Sequence, residues 1–342
     1  MNVLVLGATS FVGSHVVKKL NSMGHRVSAA GSDPERAKLV LNSIVPFHVC
    51  NFGMQLEMDN ILRRTNPDIV IQCAGDQSIG QSMANPIGCY TDTIVGNIFL
   101  LDVLTRKSIG KFMYLSSAAV FGEVESMPIT ENTTRLPISP LGNSQLFIEN
   151  MLESLRISHG LSYAILRMST ATGMSEMESE YFIQNVGGSR LVSNIIDQIL
   201  GKIDTVQIFG TSLGTLDNTP ERDYVHVDDF CSACANVIPK LAVRGEGMVY
   251  NIGSGRKYSV REVMETAEKI FGVKINWKES MPLAGEASRI YFDISKARNE
   301  LDWSPKYDTL AQILQTLQPY YLGKQKGQSL PGNFSAPAKL PK

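Results

Sequence analysis

The sequence predicts an α/β protein: a doubly wound parallel sheet followed by a smaller C-terminal α/β lobe. Strand-length apolar runs alternate with helix-length amphipathic runs from the first residue to about Arg167. That alternation is the mark of β-α-β units and therefore of parallel strands. A glycine-containing turn, Gly7-Ala-Thr-Ser10-Phe-Val-Gly13, lies between the first strand and the first helix. In doubly wound sheets a turn at that place presents backbone N–H groups and a helix N-terminus to a pyrophosphate. At 342 residues the chain exceeds what one small core fills, and two lobes suit it better.

The elements follow in order. Residues 2–6 form a short apolar strand, and 11–23 have helical periodicity. A second strand covers 26–30. The helix at 34–42 has Asp33 as N-cap and Pro34 at its first position. Strands follow at 44–49, 68–72 and 111–116, the last preceded by a long helix at 88–107 and followed by another at 142–159. Residues 163–167 make a sixth strand. After Met168 the rhythm breaks into a Gly/Ser/Glu-rich stretch, 172–190. A helix (191–201), a short strand (205–208) and a polar loop (211–221) come next. The smaller lobe then continues with a strand at 249–252 and a helix opening on the capping box Ser259-x-x-Glu262. A strand near 273–277 and helices near 295–301 and 309–321 complete it. Residues 322–342, rich in Gly, Pro, Lys and Gln, read as a disordered tail.

Composition narrows the function classes. A net charge of −1 gives no electrostatic reason to expect nucleic acid or an anionic membrane as partner. No apolar run approaches the ~18 residues a membrane span needs, and the start, MNVLVLGATS, lacks a basic n-region. A cytoplasmic protein is the expectation. Five cysteines are an odd number, and a disulfide framework does not suit a chain of this size and setting. Cys231-x-x-Cys234 lies in a helical pattern with both residues on one face. A zinc site would need a second pair, so two small buried residues are expected. The sequon Asn132-Thr-Thr134 carries no meaning without secretion.

At the nucleotide end, Ser10 stands where a middle glycine is usual, and its side chain would crowd a close ligand. The second strand ends in Gly31-Ser32 rather than the Asp or Glu that takes the adenine ribose in NAD binders. Missing that carboxylate, and with Arg36 and Lys38 nearby, the site leans modestly to NADP over NAD, although Asp33 and Glu35 pull the other way. Gly31 equally allows that dinucleotide binding is weak or lost.

Several segments then occur in a recognisable order: GATSFVGSHVVKKL, NPDIVIQCAG, NPIGCYTDTIVGN, KFMYLSSAAVFGE, PITENTTRLPISPLGNSQ, RDYVHVDDF, YNIGSGRKYSVREV and SKARNELDWSPKY. By these the chain resembles the extended short-chain dehydrogenase/reductases, the NAD(P)-dependent epimerase/dehydratase family of UDP-glucose 4-epimerase type, over nearly its whole length to about Tyr321. The resemblance implies a Rossmann domain at 1–168 and a mainly substrate-binding lobe at 169–321, some segments returning to the first domain. It implies cofactor contacts at Gly7, Ser10, Phe11, Val12, Gly13, Gly31, Ser32, Asn51, Phe52, Cys73, Ala74, Gly75, Gln77 and Ser116. It implies substrate contacts at Ser117, Thr170, Phe209 and Arg222. Family members commonly pair through the two long helices flanking the fifth strand, so a homodimer is expected. Phe147, Ile148, Met151, Leu152 and Leu155 cover more than one helical face, which agrees.

Set against the family's S-P-Y-G-x-S-K, this chain reads Ser139-Pro-Leu141-Gly-Asn-Ser-Gln145. The family's tyrosine takes the hydroxyl proton while hydride moves to or from the nicotinamide, and its lysine lowers that tyrosine's pKa and holds the ribose. Leu141 cannot ionise and Gln145 carries no charge. Ser117 is present, but Ala118-Ala119 follow it, so no adjacent acid substitutes. The family's Asn in the long helix is Thr93, its Asn after the sixth strand is Thr170, and the Arg of R-x-G-D is Leu283. An epimerase lysine would fall at Gln77. The expected function is a nucleotide-sugar-binding family member with a degenerate Tyr/Lys site. The alternative is an enzyme acting on a nucleotide sugar or other small molecule through other groups, among which Ser117, Tyr90, Glu123, Glu131 and Asp76 are candidates. No metal is expected.

Overall fold

The structure, a computed structural model, describes residues 1–73, 78–175 and 190–319. Six strands appear in chain order in the first half: β1 (Asn2–Leu6), β2 (Arg26–Gly31), β3 (Phe47–Val49), β4 (Ile69–Gln72), β5 (Lys111–Ser117) and β6 (Ser162–Met168). With the strand Gly247–Ile252 they form one seven-stranded parallel sheet. Its order is Gly247–Ile252, β6, β5, β4, β1, β2, β3. β1 is internal, with Val5 between Ala29 and Ile71. The strand order reverses beside it, which in doubly wound sheets places the ligand crevice at the carboxyl ends of the strands.

Alternate strand residues feed two cores, as a period of two requires. Val3 and Val5 face a layer containing helix α1 (Phe11–Ser22) and the helix Val227–Val237, where Val16, Val17, Leu20, Phe230, Cys231 and Cys234 are buried. Leu4 and Leu6 face the other layer, where Met58, Leu62, Leu100, Leu104, Ile148 and Leu152 are buried. A third core, including Val192, Ile196, Ile208, Val263, Phe271 and Leu314, belongs to the smaller lobe.

Helix ends fall where cap chemistry puts them. Asp33 accepts from Arg36 N (2.9 Å) at the start of α2 (Pro34–Leu41), and the capping box on Ser259 and Glu262 opens the helix Val260–Phe271. Several expectations change. The third strand begins at Phe47, because Ser43 takes a positive φ of 54° and Pro46 enters the sheet only through its carbonyl. The long helix begins at Pro86, capped by Asn85. It runs through α5 (Pro86–Tyr90; a short helix, α4, Ile79–Ala84, precedes it) and a π-helical turn, Thr91–Val95, to α6 (Gly96–Arg106). The strand near 249–252 does not belong to the smaller lobe: Gly247–Ile252 pairs with β6 from Gly247↔Tyr163 to Ile252↔Met168 and closes that edge of the main sheet.

Helix α3 (Gln55–Thr65) was not legible in the sequence, since only Met58, Ile61 and Leu62 are buried among polar neighbours. In the smaller lobe the strand falls at Trp277–Ser280, paired with Val206–Phe209. The run Pro86–Arg106 is long and apolar enough to cross a bilayer by length and composition. Here it packs on the sheet, with Cys89, Thr93, Asn97, Leu100, Leu101 and Leu104 buried inside the protein. All five cysteines are free, and burial pushes the Cys231 and Cys234 thiols well up. The expected tail at 322–342 lies outside the described residues.

Candidate active site

The turn after β1 is built by one close approach. Gly7 has φ 70°, and a Cβ on Gly13 would stand 2.2 Å from Gly7 O. Only glycine lets the first turn of α1 sit this near the strand end. Ser10, expected to crowd a close ligand, turns its hydroxyl onto the backbone of the turn. Its Oγ folds back to donate to Gly7 O (2.9 Å) and to accept from Gly13 N (3.0 Å), and it caps α1. Where β2 ends, a side chain at Gly31 would begin 3.4 Å from Thr9 Oγ1 and 3.6 Å from the Phe47 ring. The nearby charges are already engaged: Asp33 on the α2 backbone, and Lys38 with Glu35 (2.7 Å). Ser32 is exposed. Asn51 accepts from Gly53 N, and Phe52 packs against Gly96 of the long helix.

The ends of β4 and β5 come next along the crevice. Cys73 follows β4, and burial raises its thiol far above the ordinary range. Ala74, Gly75, Asp76 and Gln77 lie outside the described residues. Ser116 is buried and donates to Glu149 Oε1 (2.7 Å). Ser117 Oγ accepts from Ala119 N (3.1 Å), capping the short 3₁₀ turn Ala118–Val120. Helix α7 (Pro140–His159) starts directly against that turn: a Cβ on Gly142 would lie 2.2 Å from Ala119 O. Leu141, next to Gly142 in that first turn, is 6% exposed, and Ala118, next to Ser117, is 8% exposed. One turn along α7, Gln145 is 8% exposed, and its Oε1 is buried without a hydrogen-bond partner.

A further turn on is Glu149, which sequence reasoning missed. Its carboxylate is fully buried and accepts from Ser116 Oγ, Arg167 Nε (3.1 Å) and Nη2 (2.8 Å), and Arg135 Nη1 (2.8 Å). Arg167 itself is 2% exposed, lies 5.0 Å over the Phe121 ring and donates to Glu131 O. An acid four residues beyond Gln145 on one helical face was the available signal. Behind α7, Asn97 joins Gln72 Nε2 to Thr93 O in a buried polar chain.

The far wall comes from the smaller lobe and its junction. Thr170 sits in the short strand Thr170–Thr172, and Thr170 N donates to Asp223 O. Phe209 ends the strand Val206–Phe209, half-buried. The guanidinium of Arg222 is held by Glu221 O (2.9 Å), Ser288 O (3.2 Å) and Glu286 Oε2 (3.3 Å). The loop that carries Leu283 and Glu286 rests on α4 and α7, with a Cβ on Gly285 meeting Met83 Sδ at 2.9 Å and Ser139 Cβ at 3.1 Å. Next to Arg222, Asp223 is buried and accepts from Ser254 N and Oγ, Gly255 N and Phe292 N. Desolvation still pushes its carboxyl up to about 6. Of the other candidates, Glu123 is spent on Ser288 N and Oγ, and Glu131 on Asn251 N. Tyr90 ends α5 and is half-buried. The described residues contain no cluster that could hold a metal ion.

A parallel sheet whose strand order reverses at a glycine turn defines a Rossmann-like protein with its crevice at the strand carboxyl ends. The chain belongs to the NAD dependent epimerase/dehydratase family, whose model matches residues 3–253. UDP-glucose 4-epimerase of Azospirillum brasilense is 30% identical to it, over 92% of this chain and 90% of that one. The structure of UDP-glucose 4-epimerase from Bifidobacterium longum in complex with NAD+ and UDP matches with a TM-score of 0.86 at 27% identity. It covers 96% of this chain and 100% of that chain. The Thermotoga maritima UDP-glucose 4-epimerase with UDP-glucose matches with a TM-score of 0.82 at 27% identity, over 95% of this chain and all of that one.

Proposed function

We propose that this chain binds a dinucleotide and a nucleotide sugar in the family crevice but does not carry out the family's epimerase or dehydratase reaction. The observation that carries this is the start of α7. There Leu141, buried and next to the Gly142 that abuts the turn after Ser117, offers no group that can take a proton. Gln145, one turn on, adds no charge that would activate one. Loss of general acid–base help alone costs about 10²–10⁴ in rate.

The residues present fit a dinucleotide. Gly7 and Gly13 keep the pyrophosphate turn close, and Gln145 has a buried amide oxygen still lacking a partner. When bound, the nicotinamide supplies hydride chemistry. The cofactor-contact residues implied by the family resemblance are proposed to meet the dinucleotide near Gly7, Cys73 and Ser116, and Ser117, Thr170, Phe209 and Arg222 are proposed to face the nucleotide sugar. With no carboxylate on Gly31 and Asp33 occupied as a cap, NADP is proposed to bind at least as well as NAD. The domain boundaries given above and a cytoplasmic setting belong to the same proposal.

A homodimer through the long helices is proposed as well. Ile87 (74% exposed), Ile98 (41%) and Phe147 (48%) leave apolar surface on α5, α6 and α7. Light scattering at micromolar concentration should give twice the chain mass, and a monomer would contradict the pairing. The deciding experiment for the site is incubation with UDP- and dTDP-sugars plus NAD+ or NADP+, followed for product and reduced nicotinamide. Trace turnover only is expected. Normal family turnover, lost on Ser117→Ala, would mean that another group has taken the base role and would overturn the proposal.

A further inference from the structure

The crevice described above opens at the carboxyl ends of the strands. At the opposite end of the sheet lies a second concavity of about 570 Å³, between the start of β2, the approach to β3 and the last turn of α3. His25, Arg26, His48 and Arg64 line it, and no aspartate or glutamate does. Among the described residues neither arginine makes an ion pair. Asp68, at the same end, spends its carboxylate on Asn2 N (2.7 Å).

Helix dipoles explain part of this charge. Arg64 is in the last turn of α3, where the carbonyl end favours a cation. They do not explain Arg26 or His48, which sit on strands, and strands carry little net dipole. Two further observations bear on what the groove could hold. His25 Nδ1 is buried with no hydrogen-bond partner. Burial first, and a neighbouring cation second, hold both imidazoles below their ordinary range; the cation is Arg64 for His48 and the chain's amino group for His25. The remaining wall is mixed: Val27, Ile44, Val45 and Pro46 are apolar, with Ile44 44% exposed, and Asn2, Asn21, Ser28 and Thr65 are polar.

We propose that this groove is a binding site for a phosphate-bearing small molecule, its phosphoryl oxygens held by Arg26 and Arg64 with His25 and His48 and its organic part lying on Ile44 and Pro46. The guanidinium fork matches tetrahedral oxyanions, and imidazole N–H groups add donors. An apolar strip, Ile44 to Pro46, beside a few converging polar groups, at this volume, suits a small molecule. The site is separate from the family crevice and independent of the function proposed for it.

The probe is inorganic pyrophosphate, titrated into the full chain at pH 7 and constant ionic strength. It is followed by calorimetry and by the imidazole proton resonances of His25 and His48. Both resonances should shift saturably, and Arg26→Ser with Arg64→Ser should weaken that binding roughly tenfold or more. Both side chains are exposed, so the variant should keep its circular dichroism spectrum. The imidazole readout separates this groove from the turn at Gly7, which lies at the other end of the sheet. Resonances of His25 and His48 that stay put at millimolar pyrophosphate would overturn the proposal. So would equal affinity in the folded double variant.

Discussion

Replacing Glu149 by leucine tests what holds the site-bearing helix in place. The carboxylate joins α7 to the end of β5 through Ser116, and to β6 through Arg167. Removing it deletes four hydrogen bonds, those from Ser116 Oγ, Arg135 Nη1 and Arg167 Nε and Nη2. Arg135 is about one-third exposed and can turn to water; Arg167, 2% exposed, cannot. The dominant cost is therefore one uncompensated buried guanidinium, about 3–5 kcal/mol, a large share of a typical total stability. Urea unfolding followed by far-UV circular dichroism and by the fluorescence of Trp277 and the buried Trp303 measures it. Adding Arg167→Met should then recover about half of the loss or more, because an apolar pair of similar volume no longer strands a charge. A single-variant cost below ~1 kcal/mol would refute the reasoning, given that breaking such pairs is ordinarily expensive. So would a double variant no better than the single one.

Gly13→Ala sets a methyl 2.2 Å from Gly7 O; the turn must shift, and a stability loss of about 1–3 kcal/mol is expected. Calorimetry should show weaker dinucleotide binding in this variant, and unchanged affinity would disprove the close-approach argument. Calorimetry on the wild type should find NADP+ bound at least as tightly as NAD+, and strong NAD+ with negligible NADP+ binding would refute the argument from Gly31. Asp223 should titrate near 6 by carboxyl carbon NMR. Its folded value is raised, so folded protein holds the proton that the unfolded chain has already released. The group's contribution to stability therefore falls as pH rises from about 4 to 6, by on the order of 3 kcal/mol in all. A midpoint below 4 would contradict that sign.

The sheet was legible because both of its faces are covered, so its strands are continuous apolar runs and its helices periodic ones. Caps such as Asp33 and Ser259 were legible because their chemistry is local in sequence. Apart from α3, whose three buried positions are lost among polar neighbours, what escaped was either short or non-local. Thr170–Thr172, Glu221–Arg222 and Arg289–Ile290 are two or three residues long, below the length at which alternation can be seen. The pairing of Gly247–Ile252 with β6 joins residues some eighty positions apart, and no local pattern encodes that partner. At the site, the positions of Ser117, Leu141 and Gln145 followed from family resemblance. The engagement of Glu149 with two arginines, and the spending of Glu123 on Ser288, needed coordinates.

That seventh strand gives the molecule the logic of a lacing rather than of beads on a string. The chain leaves the main sheet at Met168, contributes to the smaller lobe, returns to lay Gly247–Ile252 along β6, and departs again. No single cut yields two self-sufficient pieces. A fragment ending at residue 168 would leave the backbone of β6 as a bare edge, ready to pair with another chain. Exchange of the smaller lobe between relatives, by recombination or in the laboratory, must therefore cross the boundary more than once. A change in one lobe can be felt in the other through the returning strand, which both must accommodate.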